Sequence, residues 1–162
     1  MASATQAAGN NAAAEQSLRK ALEITPNLLP AQQGLAALAM VAKKPGDALA
    51  IARNVQKQRP KETAGYLLEG DIYTAGKDWD KAVEAFRAGL KQVSNPDLAV
   101  RLHGALLAAG KKPEAARWAA EWLRSQPKDA VFPFYLGGLA MNGNDLAEGL
   151  RLFERVLALH PN

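Results

Sequence analysis

Small residues return at a fixed interval along this chain, and that interval limits the fold more than any other feature. A step of 34 residues from Ala82 lands on Ala48 and Ala14 upstream and on Ala116 downstream, and a further step of 33 lands on Gly149. A second series keeps the same register: Gly70 leads to Gly104 and Gly137, with Ala36 upstream. Another glycine follows six residues later in three copies, at Gly76, Gly110 and Gly143. A period of this length marks a stack of similar units, none of which can bury its apolar face alone.

The apolar residues between these landmarks are mostly Ala and Leu and recur at three and four residues, so each unit reads as helical and strand signals are absent. Gly76, Gly110 and Gly143 are expected to end the first helix of a unit in the left-handed conformation. Pro26, Pro60, Pro127 and Pro161 stop the second helix, and Ser94-Asn95-Pro96 does so in the central repeat. The best-formed copy runs from Tyr66 to Leu90. There Gly70 and Ala82 let two helices approach closely, Tyr66, Tyr73 and Phe86 fill the space around that approach, and Trp79 closes the end of the pair.

The landmarks give one partial and four full units. The partial one, over residues 1–28, has a second helix over about 11–24 behind a short alanine-rich segment. The full units span 29–62, 63–96, 97–129 and 130–162. In the second helix of the third full unit the register can shift by one at Trp118 and Trp122, which share a helical face either way. No Gly/Ser-rich or Pro-rich linker interrupts the chain, so one continuous core over residues 1–162 is expected.

The chain has no cysteine, which excludes disulfides and thiolate metal sites without choosing a compartment. Residues 1–16 have neither the basic start nor the apolar core of a signal peptide, and the longest apolar run, Leu35 to Ala42, is too short to span a bilayer. The net charge of +4 sits in separated turns, Lys43-Lys44, Lys57 to Lys61 and Lys111-Lys112. No base-stacking aromatics accompany these lysines, so a nucleic-acid partner is not expected. The chain stops on a repeat boundary at Pro161-Asn162 without a polar capping element, which is expected of a fragment of a longer array or of an end that packs on another copy.

Residues for chemistry are scarce. His103 and His160 are the only histidines, in different units, and neither has a ligand partner at i+3 or i+4, so no metal or cofactor site is expected. His103, next to a glycine, reads as a core or groove-edge residue, and His160 as a cation near a helix end. Gly70 to Lys77 and Gly104 to Lys111 read G-x5-G-K, one residue longer than a phosphate-binding loop and without its Ser or Thr. No nucleophile motif appears, and Glu84, Glu114 and Glu148 read as exposed charge on second helices. No catalytic residue is assigned.

This pattern resembles the tetratricopeptide repeat. Tyr66, Gly70 and Tyr73 follow its W-x2-L-G-x2-Y spacing in aromatic and glycine character, and Ala82 and Phe86 follow its A-x3-F spacing. Glu69 stands where the family has leucine; either Leu68 substitutes, or the carboxylate lies at a groove margin. The resemblance implies an all-α, right-handed superhelical solenoid of helix-turn-helix repeats, with first helices lining a concave groove and second helices forming the convex back.

Carried over by register, position 2 of the full units is Pro30, Ala64, Leu98 and Val131, and position 5 is Gln33, Leu67, Arg101 and Phe134. Position 9 is Ala37, Asp71, Ala105 and Gly138, and position 12 is Met40, Thr74, Ala108 and Met141. Lysine and asparagine are absent at positions 5 and 9, so the family's carboxylate clamp is not expected. The expected groove residues are Gln33, Met40, Leu67, Asp71, Leu98, Arg101, Phe134 and Met141. They suit an apolar peptide or amphipathic helix, with Arg101 and Asp71 as polar anchors. The other reading has the same side chains packing between neighbouring first helices. Trp118 and Trp122 are either buried between units or form a contact patch on the back.

A narrower likeness rests on residues 101–137, RLHGALLAAGKKPEAARWAAEWLRSQPKDAVFPFYLG. This stretch is similar to repeats of bacterial lipoproteins associated with PEP-CTERM protein sorting and exopolysaccharide loci. It implies a periplasmic or envelope-associated scaffold, although neither a lipobox cysteine nor a signal is present; otherwise the cytoplasm is implied. The expected function is non-enzymatic capture of a protein or peptide. The alternative is a structural segment that extends a larger array or self-associates through its end, from Leu146 to Leu159.

Overall fold

The computed structural model describes residues 2–159, and among these it contains nine helices and no strand. They are α1 (Ala2–Ile24), α2 (Leu29–Val41), α3 (Pro45–Gln58), α4 (Ala64–Ala75), α5 (Trp79–Gln92), α6 (Pro96–Ala108), α7 (Lys112–Ser125), α8 (Val131–Asn142) and α9 (Leu146–Leu159). The expected all-α helical repeat is therefore what forms. One boundary differs: α1 is a single 23-residue helix, because nothing between Ala2 and Ile24 stops an alanine-rich run, and Gly9 alone does not break it. His160 and Pro161 lie outside the described residues.

The chain forms two compact units, Met1–Val93 and Ser94–Asn162. In the first, consecutive helices pack from α1 to α5. Its seam is made of small residues: Ala36 of α2 and Ala48 and Ala52 of α3 are fully buried, with Ile72 of α4 beside them and Leu49, Ile51 and Leu68 around the edge. At the α4–α5 pair a Cβ built on Gly70 would overlap the ring of Phe86, so close approach there requires glycine. In the second unit α6 packs on α7 and α8, and α8 on α9. Its core uses larger residues, Leu98, Leu102, Leu106, Trp122, Phe132 and Leu152.

The turns inside the four full repeats are identical in hydrogen bonding, and they define the register. After α4, Lys77 N–H donates to Thr74 C=O at 3.0 Å and Asp78 N–H to Tyr73 C=O at 2.9 Å. The same pair of bonds follows α2 at Lys43 and Lys44, α6 at Gly110 and Lys111, and α8 at Asn144 and Asp145. This is the Schellman arrangement, whose pivot is a left-handed residue. The pivots are Lys43, Lys77, Gly110 and Asn144, with φ of 58°, 59°, 74° and 64°. Gly76 and Gly143 precede their pivots and have right-handed φ near −81°, so only Gly110 plays the left-handed role expected of all three glycines.

The pivots recur at steps of 34, 33 and 34 residues, which moves the short step upstream of α6. Counting back from them aligns Ala36, Gly70, His103 and Gly137, each preceded by Leu35, Glu69, Leu102 and Leu136. His103, and not Gly104, is therefore the counterpart of Gly70. Burial agrees in the second helices: Ala115 is fully buried and Ala116 is exposed, so Ala48, Ala82, Ala115 and Gly149 form the series. The bulky ring at His103 fits because Ala119 stands in α7 where α5 has Phe86 and α9 has Phe153.

Candidate functional site

The corrected register changes which side chains the first helices present. In the first unit Gln33 is exposed on α2, while Met40, Leu67 on α4 and Asp71 are half-buried. In the second unit Leu98 is fully buried core, and exposed Arg101 stands one residue past the aligned position. The residues aligned with Leu67 and Phe134, and with Met40 and Met141, are instead Val100 and Leu107. A one-residue slip turns a helix by about 100°, which carries Leu98 into the core and Arg101 off the face. On α6 and α8 the face shows Leu107 at 36%, Phe134 at 62% and Met141 at 38% exposure, with Val100 half-buried. The recurring Leu before the buried helix position, at Leu35, Leu102 and Leu136, is the sequence signal that reveals the slip.

Between α3 and α4 the first unit holds a polar clamp. Arg53 donates from Nε to Glu69 Oε1 at 3.1 Å and from Nη2 to the Tyr73 hydroxyl at 3.1 Å, and Gln56 Nε2 donates to Glu69 Oε2 at 2.7 Å. The hydrogen bond and charge of Glu69 raise the Arg53 guanidinium above its ordinary value. Glu69 thus joins two consecutive repeats and does not line the first-helix face, and Leu68 packs against the apolar seam. The Lys81 ammonium stands 5.6 Å from the Tyr73 ring centroid. A cleft of about 250 Å³ lies here, lined by Arg53, Glu69, Tyr73, Lys81, Glu84, Ala85 and Ala88. A second cleft of about 310 Å³ lies between α1, α2 and α3.

In the second unit His103 is buried and its Nδ1 lies 3.1 Å from the Tyr135 hydroxyl, with the Phe132 and Tyr135 rings edge-on to the imidazole. Burial lowers the His103 pKa and raises that of Tyr135. This is a packed polar contact between α6 and α8. Trp122 is core: its ring meets Phe132, and its Nε1 donates to Asp129 Oδ2 at 2.7 Å. Asp129 also accepts from the N–H of Val131 at 2.8 Å and of Phe132 at 3.3 Å, which satisfies donors at the start of α8. Trp118 is half-buried, 5.5 Å from the Trp122 ring, so the two do not form an exposed pair.

No group of three or more His, Cys, Asp and Glu side chains able to hold a metal occurs among the described residues. No described helix is long and apolar enough to cross a membrane. On α9, Leu146, Leu150 and Leu157 are exposed.

A family model described as "Tetratricopeptide repeat" matches residues 34–97 and 78–130. No curated protein matches the chain in sequence. Among solved structures, the chain resembles MamA at TM-score 0.60 and 15% identity, over 95% of this chain and 91% of that one. It resembles YrrB, described as a TPR protein with an unusual peptide-binding site, at TM-score 0.56 and 20% identity, over 91% and 76% of the two chains. PilF of Pseudomonas aeruginosa matches at TM-score 0.63 and 18% identity, over 97% of this chain and 72% of that one. At these identities the likeness is one of fold.

Proposed function

Because the chain belongs to the tetratricopeptide repeat family, we propose that it is a non-enzymatic scaffold that holds an apolar peptide or amphipathic helix on the exposed face of its first helices. The observation that carries this reading is the exposure of Leu107, Phe134 and Met141 at aligned positions of α6 and α8. Large apolar side chains left in water on one face favour a partner with its own apolar stripe, and methionine adapts to its shape. In the first unit Leu67 and Met40, with Asp71 as a polar anchor, form the corresponding face. Peptide binding by YrrB lends the reading support from a protein of the same fold.

The test is capture of a partner by the intact chain and by Leu67→Asp and Phe134→Asp, with helicity followed by circular dichroism. Loss of capture with unchanged helicity supports the proposal, and undiminished capture by both variants removes it.

A second reading rests on Leu150 and Leu157 of α9, apolar and well exposed. They favour self-association or docking of a further helix at that end. Sedimentation over a wide concentration range decides: a strictly monomeric chain removes self-association. Placement in a bacterial envelope system for PEP-CTERM sorting rests on the sequence resemblance of residues 101–137 alone.

A further inference from the structure

We propose that the cleft between α1, α2 and α3 takes a tyrosine side chain presented by a partner protein. The chain's own next repeat carries the counterpart of this cleft. A step of 34 residues maps Arg19 onto Arg53, Leu35 onto Glu69, Ala39 onto Tyr73 and Ile51 onto Ala85, so the clefts of about 310 and 250 Å³ are the same place in successive repeats. In the second of them Tyr73 lies along the wall, and its hydroxyl receives Arg53 Nη2 at 3.1 Å. In the first, alanine stands where that ring would begin, and the arginine is still there. What repeat two supplies from its own helix, repeat one lacks.

The remaining surroundings suit the same group. Leu35, Leu38, Ala39 and Ile51 give an apolar floor, and Glu15, Arg19, Lys44 and Asp47 give a charged rim. Glu15, one turn back on the same helix, accepts from Arg19 Nε at 3.0 Å and Nη2 at 2.7 Å, whereas Glu69 holds Arg53 from the next helix; the remaining Arg19 N–H donors are left over for a hydroxyl. A phenol has the required apolar face and polar tip. The fourth full repeat also has alanine at this register, Ala140, but Ala120 stands where the arginine would be, so ring-sized space and guanidinium coincide in the first repeat only among the described residues. Leu35 and Ala39 are two residues from Gln33 and Ala37, about 200° around α2, so this site is separate from the proposed peptide face and does not depend on it.

The test is an NMR titration of the intact chain with N-acetyl-tyrosinamide, N-acetyl-phenylalaninamide and the tripeptide Gly-Tyr-Gly. Tyrosinamide is expected to shift Leu35, Leu38, Ala39 and Ile51 with a dissociation constant of about 1–10 mM, as suits a fragment of its size. Phenylalaninamide should bind about three- to tenfold more weakly for want of the hydroxyl. Ala39→Tyr, which copies the second repeat, should abolish binding, and Arg19→Met should reduce tyrosinamide to the phenylalaninamide level. If Ala39→Tyr does not fold, Arg19→Met carries the test. No shifts at about ten times that constant, equal binding of the two amides to the parent chain, or unchanged binding by a folded Ala39→Tyr chain overturns the proposal. So does a preference for 4-methylphenol with exclusion of Gly-Tyr-Gly, which marks a site for a free phenol.

Discussion

Replacing Gly70 by alanine and Gly104 by alanine should move stability in opposite directions, although the two look equivalent in the sequence. At Gly70 the new methyl would overlap the Phe86 ring, which is fully buried and has no room to withdraw. Overpacking of this kind reaches about 3 kcal/mol. Alanine recovers about 1 kcal/mol as the better helix former, so the net cost is about 2 kcal/mol. At Gly104 the nearest atom to the added Cβ is the Tyr135 hydroxyl at 3.8 Å, an ordinary contact. Only the helix-propensity gain remains there, about 0.5–1 kcal/mol of stabilisation.

Urea unfolding followed by circular dichroism reads both: with an m-value near 2 kcal/mol/M, the midpoint falls by about 1 M for Gly70→Ala and rises slightly for Gly104→Ala. Adding Phe86→Ala to Gly70→Ala should cost about 1–3 kcal/mol less than the sum of the single changes, because α2 and α3 already pair Ala36 with Ala52 at this register. Midpoint shifts of the same sign at the two glycines, or strict additivity in the double variant, would refute the register and the packing argument built on it.

Burial holds the His103 imidazole below its ordinary value of 6.5, so just below pH 6.5 the unfolded chain binds more protons than the folded one. Stability is therefore full above about pH 6.5 and falls as the pH is lowered through that range; His103→Gln should flatten this part of the urea-midpoint profile, and identical profiles would count against it. Asp129→Ala removes the acceptor for Val131, Phe132 and the Trp122 indole, and is expected to cost about 2 kcal/mol and to shift the tryptophan emission. Asn95→Ala loses only the two backbone bonds at the start of α6, so its cost should be nearer 1 kcal/mol; equal costs in thermal or urea unfolding would show that the indole bond adds nothing. Quenching by a neutral quencher should spare Trp122 relative to Trp118, read from the two single Trp→Phe variants.

The period of small residues was sufficient to foresee paired helices, their approximate bounds and the Gly70–Phe86 contact, because a small side chain opposite a ring leaves a trace that sequence spacing preserves. It failed at α6, where two glycines, Gly104 and Gly110, fall six apart as Gly70 and Gly76 do but serve other roles. Turn geometry depends on which residue takes φ near +60°, and Lys43, Lys77 and Asn144 do so without glycine, a choice composition does not announce. That single slip misplaced Leu98 and Arg101 on the expected face and hid Val100 and Leu107. Glu69 was legible as a departure from the family pattern, but its partners Arg53 and Gln56 lie 16 and 13 residues away on another helix. The Arg19–Ala39 cleft was hidden for a related reason: its meaning appears only when two repeats are compared atom by atom.

Selection of a random peptide library on the intact chain addresses the functional face most directly, with the selected peptide then titrated against Leu107→Asp, Phe134→Asp and Arg101→Asp chains of matched helicity. The first two should lose at least about tenfold in affinity, the cost of setting a carboxylate against an apolar partner, while Arg101→Asp stays within about threefold. Affinity lost at Arg101 but kept at Leu107 and Phe134 would contradict the account.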